Sequence, residues 1–326
     1  MSSTPDHAVL EVRDLAVRIG GHRAPVVPVT DVSFSVLHGG TLALVGESGS
    51  GKSLTLKAIL GLLPRDASVE HGEIRFGNGR SPAVAVDPAL LRGRGIALVP
   101  QEPMTAMNPT MRLGDLVAAG ARATQGLSRR AGRTLAANLL GEVGMPDPKS
   151  RLQAWPHELS GGMRQRAMIA MALATEPTLL LCDEPTTALD VTVQDQVVKL
   201  LHRIRADRGL AVLFVTHDLA LAGQLCEQIA VIYAGRVVET GPLQQVYAKP
   251  AHQYTAALLA AAPDASRADR PLAAIPGQPP DPSDFVAGCR FVPRCPAATE
   301  ACASTEHRLT EIAPDRRTAC IHPPLR

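Results

Sequence analysis

A glycine-rich stretch, residues 46–53, constrains the fold of this chain more than any other feature. It reads Gly-Glu-Ser-Gly-Ser-Gly-Lys-Ser and fits the pattern G-x-x-x-x-G-K-[ST]. An apolar run, residues 42–45, precedes it, and a segment with helical spacing, residues 54–63, follows it. A loop between a strand and a helix points several backbone N–H groups at one anion, and the helix N-terminus adds positive potential. The stretch therefore predicts a phosphate-binding loop, in which Lys52 reaches the β- and γ-phosphates and Ser53 binds Mg²⁺.

The bulk properties of the chain are those of an ordinary globular protein. With 326 residues it is long enough for two domains, or for one large domain with an appendage. The net charge of +2 gives no sign of a nucleic-acid partner, and no apolar run approaches the length of a membrane span. Residues 1–7 lack the basic and apolar regions of a secretory signal. We therefore expect a cytoplasmic protein that does not bind nucleic acid.

Alternating apolar runs and turns predict an α/β chain. Residues 103–177 are alanine-rich and helical in spacing, residues 190–208 form an amphipathic helix, and the catalytic core closes near residue 250. Residues 263–284 are rich in proline and alanine with little periodicity, which indicates a linker before a cysteine-bearing tail. The predicted strands are residues 10–19, 29–36, 42–45, 72–76, 96–99, 178–182, 210–216, 229–233 and 236–239, the last two forming a hairpin with Ala-Gly at its turn.

A second chemical element lies at the end of a predicted apolar strand. Residues 179–182 lead directly to Asp183 and Glu184. A strand end beside the phosphate loop would let Asp183 hold Mg²⁺ through water, and Glu184, on the other side, would orient or deprotonate an attacking water. Two solvated acids at a strand end are the simpler interpretation, and the phosphate loop upstream argues against it.

A third element is the sequence Leu-Ser-Gly-Gly-Met-Arg-Gln at residues 159–165. Ser160 is a favourable N-cap, and apolar residues at positions 163, 167, 170 and 174 predict a helix after it. Gly161 and Gly162 leave the N-terminus of that helix open to another molecule. Taken alone, the pattern predicts only a capped helix start.

With these three elements in order, the sequence resembles the ATP-binding cassette (ABC) ATPases, whose signature loop is Leu-Ser-Gly-Gly. The resemblance implies that Ser160, Gly161 and Gly162 bind the γ-phosphate of an ATP held by a second subunit. The composite sites would then assemble only in a head-to-tail dimer.

Three further positions match that family one by one. Gln101 matches the glutamine that senses Mg²⁺ and the γ-phosphate, and residues 188–190 match the loop that crosses the dimer interface. His217, after a predicted strand, matches the switch histidine that contacts the γ-phosphate. The implied catalytic residues are Glu184, His217, Lys52 and Gln101, and the implied Mg²⁺ ligands are Ser53, Gln101 and Asp183. The implied nucleotide contacts are Gly46, Glu47, Ser48, Gly49, Ser50, Gly51, Lys52, Ser53, Leu54, Ser160, Gly161, Gly162 and Asp190.

The resemblance also implies a fold and leaves one contact unassigned. It implies an α/β P-loop NTPase of the ABC type, with an antiparallel β subdomain, a helical subdomain at about residues 103–177 and a small cysteine-bearing C-terminal tail. The family usually stacks an aromatic side chain on adenine at the end of the first strand. This chain has Ile19 there and His22 in the following loop, so no residue is assigned to the adenine ring.

Local stretches within the cassette and after it resemble the ATP-binding subunits of dipeptide and oligopeptide importers. They are residues 100–109, 161–166, 183–192 and 250–259. The resemblance implies an ABC ATP-binding domain at residues 9–250, an importer-type C-terminal region at 251–326, and a role in powering the uptake of di- or oligopeptides. The implied partners are a second, related ATPase subunit, two membrane-spanning permease subunits and an extracytoplasmic substrate-binding protein, with the chain at the cytoplasmic face of the cell membrane.

The tail supplies separate chemistry. Four of the six cysteines fall in a loop-rich polar segment, residues 285–326, and they are Cys289, Cys295, Cys302 and Cys320. Four thiolates suit a [4Fe–4S] cluster or Zn²⁺, although the C-x2-C pairs of common zinc sites are missing, and unligated or disulfide-bonded cysteines are the alternative. The importer subunits that this chain resembles carry an iron–sulfur cluster in such a tail. Cys182 and Cys226, in a strand and an apolar helix, are expected to be buried packing residues.

Other functions stay open. ABC ATPases of DNA repair, chromosome organisation and translation share these motifs, but they carry long coiled coils or two cassettes, and the sequence contains neither. A catalytically inactive regulatory subunit is disfavoured by intact Lys52, Asp183, Glu184 and His217. Within transport, nickel or another small solute is the alternative cargo, and the partner ATPase could be a second copy of this chain.

Overall fold

The computed structural model describes residues 7–20, 25–79, 81–187, 189–262, 274–304 and 307–324. The strands are β1 (Ala8–Ile19), β2 (Val26–Leu37), β3 (Thr41–Val45), β4 (Ala67–Phe76), β5 (Val84–Ala85), β6 (Ile96–Val99), β7 (Leu179–Asp183), β8 (Ala211–Thr216), β9 (Gln228–Tyr233), β10 (Arg236–Pro242), β11 (Thr310–Ala313) and β12 (Arg316–Thr318). The helices are α1 (Lys52–Ile59), α2 (Pro88–Leu91), α3 (Pro103–Ala106), α4 (Leu113–Gln125), α5 (Arg129–Glu142), α6 (Pro148–Arg151), α7 (Gly161–Leu173), α8 (Val191–Arg208), α9 (Leu219–Leu225), α10 (Leu243–Ala248), α11 (Gln253–Ala261) and α12 (Glu300–Ser304).

The larger sheet has eight strands in the order β11-β12-β10-β9-β3-β8-β7-β6. The five strands β9, β3, β8, β7 and β6 run parallel to one another. The pairs β9–β10, β10–β12 and β12–β11 are antiparallel. Val45, the last residue of β3, pairs with Thr216 and Val231, and Asp183 pairs with Val215. The carboxyl ends of β3, β7 and β8 therefore meet at one edge, where α/β sheets place their ligands.

Side chains of the central strands alternate between two cores, as the period of two in a strand requires. Leu42 and Leu44 pack with α1 and the smaller sheet, whereas Ala43 and Val45 pack with the helices on the opposite face. All five residues of β3 are buried. This full burial explains why the run before the phosphate loop is continuously apolar rather than alternating.

The smaller sheet is antiparallel, with strand order β2-β1-β4-β5. Val12, Leu15 and Val17 of β1 are buried against the larger sheet and α1. The predicted antiparallel subdomain is therefore confirmed, and the predicted strand at residues 72–76 is the second half of a longer strand, β4.

Helices α3 to α7 occupy the segment that was predicted to be helical, residues 103–177. Met107 is buried in this region and belongs to the core, while Met104 is 41% exposed. Helix α1 covers residues 52–59 rather than the predicted 54–63, because Gly51 has a φ of 99° at its start and Gly61 has a φ of 61° just after its end.

The tail is joined to the larger sheet. Strand β12 pairs with β10, and β11 pairs with β12, so the last two strands extend the sheet edge. Of the predicted linker, residues 263–273 lie outside the described part of the chain, and residues 274–284 include a 3-10 helix at Pro282–Asp284. No helix among the described residues combines the length and apolarity needed to cross a lipid bilayer.

Candidate nucleotide site

The phosphate loop runs from the end of β3 to the start of α1. The Lys52 ammonium donates to the Gly46 carbonyl at 2.8 Å and to the Glu47 carbonyl at 2.9 Å, and only 4% of its side chain is exposed. Ser48 and Gly49 at the loop tip are exposed, whereas Ser50 is buried. A buried cation inside an exposed loop of backbone groups is suited to an anion.

Close packing explains a glycine at the start of this loop. A Cβ atom on Gly46 would lie 2.1 Å from the Ile232 carbonyl oxygen of β9 and 2.8 Å from the Ser50 hydroxyl. Any side chain there would push the loop away from the sheet. The glycine therefore lets the loop lie directly against β9.

Two of the three predicted magnesium ligands, Ser53 and Asp183, are adjacent. The Ser53 hydroxyl, at the start of α1, donates to the Asp183 carboxylate at the end of β7 at a distance of 3.1 Å. Burial raises the pKa of Asp183, although the hydrogen bond from Ser53 acts in the opposite direction. Two hard oxygen ligands side by side at a strand end are suited to Mg²⁺, which would favour the ionised carboxylate.

Glu184 is the centre of a small polar network. One carboxylate oxygen lies 3.7 Å from the Lys52 ammonium, and the other lies 3.1 Å from Nδ1 of His217 and accepts from the Thr187 hydroxyl at 3.0 Å. Its backbone N–H donates to the Val215 carbonyl. Burial lowers the pKa of Lys52, and the negative charge of Glu184 is the largest opposing influence. Strands β7 and β8 thus bring an acid and a histidine from distant sequence positions to the phosphate loop.

The remaining predicted residues lie on three other segments. Gln101 is exposed just beyond β6. Ser160 caps α7 by accepting from the Met163 N–H, and Asp190 caps α8 by accepting from the Val193 N–H. These two helix starts are adjacent, since a Cβ on Gly162 would meet Val193 at 2.9 Å and one on Gly161 would meet Leu189 at 3.6 Å. Ala188 and His22 lie outside the described residues.

Sequence reasoning missed the groups that hold Glu47 from outside the loop. The Tyr254 hydroxyl accepts from the Glu47 backbone N–H at 2.9 Å, and Arg294 forms two hydrogen bonds with the Glu47 carboxylate, at 2.7 and 3.0 Å. Tyr254 belongs to α11, and Arg294 belongs to the cysteine-bearing tail. No spacing in the sequence marks Arg294, and no role was predicted for Tyr254 within the importer-like stretch at residues 250–259, because both contacts depend on the fold of the C-terminal region.

The four tail cysteines line one small cavity together with His252, His307 and His322. All six cysteines of the chain are free thiols, and Cys182 and Cys226 are buried as predicted. His252 is fully enclosed: its Nδ1 accepts from the Tyr254 N–H at 3.0 Å, and its Nε2 has no hydrogen-bond partner. Within the described ranges, no three or more histidines, cysteines and acids are arranged to hold a metal ion.

The sequence of this chain matches two known protein families. A family profile described as ABC transporter matches residues 29–187, and one described as the C-terminal region of oligopeptide/dipeptide transporters matches residues 238–302. The dipeptide transport ATP-binding protein DppD of Escherichia coli is 42% identical over 317 residues, which cover 97% of each chain. This chain belongs to the ABC transporter ATP-binding proteins. Within that family it carries the C-terminal region of the oligopeptide/dipeptide branch.

Two further proteins are similar to this chain. A putative peptide import ATP-binding protein of Brucella melitensis is 41% identical to this ABC protein over 326 residues, which cover 96% of each chain. An ATP-binding cassette solved as a dimer in a post-hydrolysis state with ADP and Pi is 25% identical, with a TM-score of 0.62 over 72% of this chain and 98% of that one. The present chain is an ATPase with the ABC fold.

Proposed function

We propose that this ABC ATPase powers the import of di- or oligopeptides from the cytoplasmic face of the cell membrane. The observation that supports ATP hydrolysis is the meeting of Lys52, Glu184 and His217 at the end of the parallel strands. The oligopeptide/dipeptide C-terminal region at residues 238–302 supports the cargo. Boundaries at residues 9–250 for the ATP-binding domain and 251–326 for the importer-type region are part of this proposal.

In the proposed site, the phosphate loop cradles the β- and γ-phosphates of ATP. Backbone N–H groups of residues 46–54 and the Lys52 ammonium hold the anion, and the positive end of α1 adds to the attraction. Ser53 and Asp183 would hold Mg²⁺, with Gln101 completing the contact in the closed state. When bound, the ion supplies positive charge that offsets the charge of the phosphates.

Glu184 is the proposed general base. Its carboxylate would take a proton from the water that attacks the γ-phosphorus, and Thr187 and His217 hold that carboxylate in place. Lys52 and His217 would stabilise the charge that spreads over the transferred phosphoryl group. ADP is the leaving group, so one P–O bond forms as another breaks.

A dimer is needed to complete the proposed site. Ser160, Gly161 and Gly162 lie at the open start of α7 beside Leu189 of the loop before α8. We propose that these residues and Asp190 meet the ATP of a second, related ATPase subunit. Closure of this dimer would move two permease subunits, which receive cargo from an extracytoplasmic substrate-binding protein.

The tail cysteines are a proposed site for a [4Fe–4S] cluster, with Zn²⁺ as the alternative. The four cysteines line one cavity, and thiolates suit a soft metal centre, although the described residues are not arranged to hold an ion as they stand. The metal centre would be bound by Cys289, Cys295, Cys302 and Cys320. Its role would be to stabilise the tail by cross-linking it. Anaerobically purified protein should contain iron and sulfide, and a Cys295→Ser variant should lose them. Cys226→Ser, a buried cysteine away from the cavity, is the matched control, and wild-type protein without iron, sulfide or zinc would refute a metal site.

The transport proposal is tested by uptake in cells that lack this chain. Labelled dipeptides, labelled oligopeptides and nickel would be supplied in parallel, and we expect peptide uptake to be lost. The intact gene should restore it, and a Lys52→Ala form should not, because the phosphates lose their cation. Normal peptide uptake with lost nickel uptake would change the proposed cargo to nickel and leave the proposed ATPase role unchanged. If neither changed, the transport role would be wrong.

A further inference from the structure

The cysteine segment of the tail lies against the outside of the phosphate loop. Residues 289–295 read Cys-Arg-Phe-Val-Pro-Arg-Cys, so a cysteine stands at each end with an arginine next to it. Both arginine residues are buried. Buried guanidinium groups require acceptors for their N–H donors, so the partners of Arg290 and Arg294 show what the segment is built to hold.

Every N–H donor of Arg294 has an acceptor. Its Nη1 donates to Glu47 at 2.7 Å and to the Tyr233 hydroxyl at 3.3 Å, and its Nη2 donates to Glu47 at 3.0 Å and to the Ile275 carbonyl at 3.4 Å. The Nε group donates to the Pro276 carbonyl at 2.8 Å. A two-pronged contact of this kind fixes the angle of the carboxylate as well as its distance. The ion pair with Glu47 raises the pKa of Arg294.

The backbone of Glu47 is held by the same C-terminal region. Its N–H donates to the Tyr254 hydroxyl, and the Tyr254 ring packs against Tyr233 at 4.5 Å and against Phe291 at 5.4 Å. Phe291 lies between the two arginines in sequence and is buried. The side chain and the backbone N–H of Glu47 therefore both depend on the position of residues 289–295.

Arg290 holds a second part of the loop indirectly. It donates to the Ala234 carbonyl and to the Thr30 hydroxyl. The next residue, Gly235, donates its N–H to the Ser50 carbonyl of the phosphate loop at 2.9 Å. The segment therefore supports the loop at two points, directly at Glu47 and through the Ala234–Gly235 turn at Ser50.

We infer that Arg294 is a positioning residue for ATP binding, acting through Glu47 to hold the phosphate loop in its binding conformation. Arg294 lies outside the loop and, through its pair with Glu47, ties the cysteine-bearing tail to the nucleotide site. Since lysine can make only a single-point contact, the positive charge alone would not replace it. The inference rests on the proposed phosphate site at residues 46–53.

The test measures the Kd of the full-length protein for a non-hydrolysable ATP analogue with Mg²⁺. Arg294→Gln and Arg294→Lys should each raise the Kd about tenfold, the scale of a lost charged hydrogen-bond pair. Glu47→Gln should raise the Kd by a similar factor, because it removes the same ion pair while leaving the tail sequence unchanged. The double variant Glu47→Gln/Arg294→Gln should be no weaker than either single variant, because both changes remove one contact.

The matched control is Arg316, another buried arginine of the tail, which pairs with a carboxylate of the core. Arg316 donates to Glu239 at 3.1 Å, and its ion pair lies on β12 and β10. Arg316→Gln should lower the melting temperature and leave the Kd within about twofold, since Glu239 keeps its bonds to the N–H groups before α11 and the pair contacts no phosphate-loop residue among those described.

The outcomes separate the inference from the proposed site. Wild-type affinity in Arg294→Gln, Arg294→Lys and Glu47→Gln would overturn the positioning role. An equal loss of affinity in Arg316→Gln would overturn it too, by showing a general effect of loosening the tail. A wild-type protein that does not bind the analogue, or a Lys52→Ala form that binds it normally, would instead refute the phosphate site.

Discussion

Glu184 has a left-handed backbone conformation, and both oxygens of its carboxylate contact other residues. Its φ of 44° lies in the left-handed region, which costs a non-glycine residue on the order of 1 kcal/mol or more. The N–H bond to Val215 and the contacts with Thr187 and His217 hold it there. The contacts with Thr187 and His217 fix the direction of the carboxylate, as the proposed role of a general base requires.

Replacing Glu184 with glutamine should separate binding from hydrolysis. The amide keeps the shape of the side chain but cannot accept a proton from water, so we expect turnover to fall by about 10²- to 10⁴-fold. ATP affinity should stay near the wild-type value, and the dimer should remain closed with ATP bound. Phosphate release and nucleotide retention measure the two effects.

Glu142→Gln is the control for that change. Glu142 is a carboxylate that pairs with Arg208 at 2.6 Å on the protein surface. Its loss should leave turnover unchanged. Full turnover in Glu184→Gln would contradict the proposed base.

The two core cysteines should be chemically silent in the native protein. Burial raises the pKa of Cys182 and of Cys226, so the reactive thiolate is scarce and shielded. Both should resist alkylation by iodoacetamide under native conditions and react in denaturing urea. Mass spectrometry of each peptide gives the modified fraction, and fast native labelling of either residue would show that the core opens readily.

At the scale of elements, the β9–β10 hairpin shows how a turn supports a site. Ala234 and Gly235 have φ values of 45° and 80°, which fit the tight turn predicted for the Ala-Gly pair. The Gly235 N–H bonds to Ser50, and its carbonyl accepts from the Thr30 N–H. The hairpin therefore connects β2 to the phosphate loop.

Gly235→Ala should damage both stability and nucleotide binding. A Cβ at this position would lie 1.8 Å from the Pro28 carbonyl oxygen, so the turn must move and the bond to Ser50 is lost. We expect a melting temperature several degrees lower and an ATP Kd raised at least about tenfold. Thermal melting and nucleotide titration test these effects.

Gly126→Ala is a control with the same kind of backbone. Gly126 has a φ of 67° after α4, and a Cβ there would meet no atom within 4 Å. It should cost only about 1 kcal/mol and leave ATP affinity unchanged. Equal loss of affinity in both variants would show that the Gly235 contact is not specific.

At the scale of the whole molecule, the tail and the ATPase core share one structure. Strand β12 extends the main sheet, Arg316 pairs with the buried Glu239, and Phe291 packs on Tyr233 at 5.2 Å. Glu239 also accepts the N–H groups before α11. The C-terminal region therefore contributes to the same core that positions the phosphate loop.

Phe291→Ala should loosen this junction. The ring is 1% exposed, and removing a ring of this burial costs about 3–5 kcal/mol of unfolding free energy. Urea unfolding measures the change. Phe285→Ala, at a half-buried ring stacked on Arg290, should cost less than half as much, and equal losses would contradict the assigned packing.

Much of the site was predictable because its chemistry is local. The phosphate loop is contiguous, and strand, glycine loop and helix need only the spacing of neighbouring residues. Ser160 and Asp190 were predicted at helix starts, and both cap a helix. The boundaries of α1 were wrong by a few residues, since backbone angles at Gly51 and Gly61 decide them.

The class of fold, the loop that would hold phosphate, and the acids and histidine of the proposed site follow from the order of the residues. The side chains that hold that loop from behind are known only from the folded chain. Tyr254 and Arg294 contact Glu47 from 207 and 247 residues away. No periodicity encodes such a pairing, because an arginine in a loop-rich tail has the same local pattern whether it faces water or a carboxylate. Its partner is chosen by the packing of β12, Phe291 and the tyrosines, which exists only once the chain has folded.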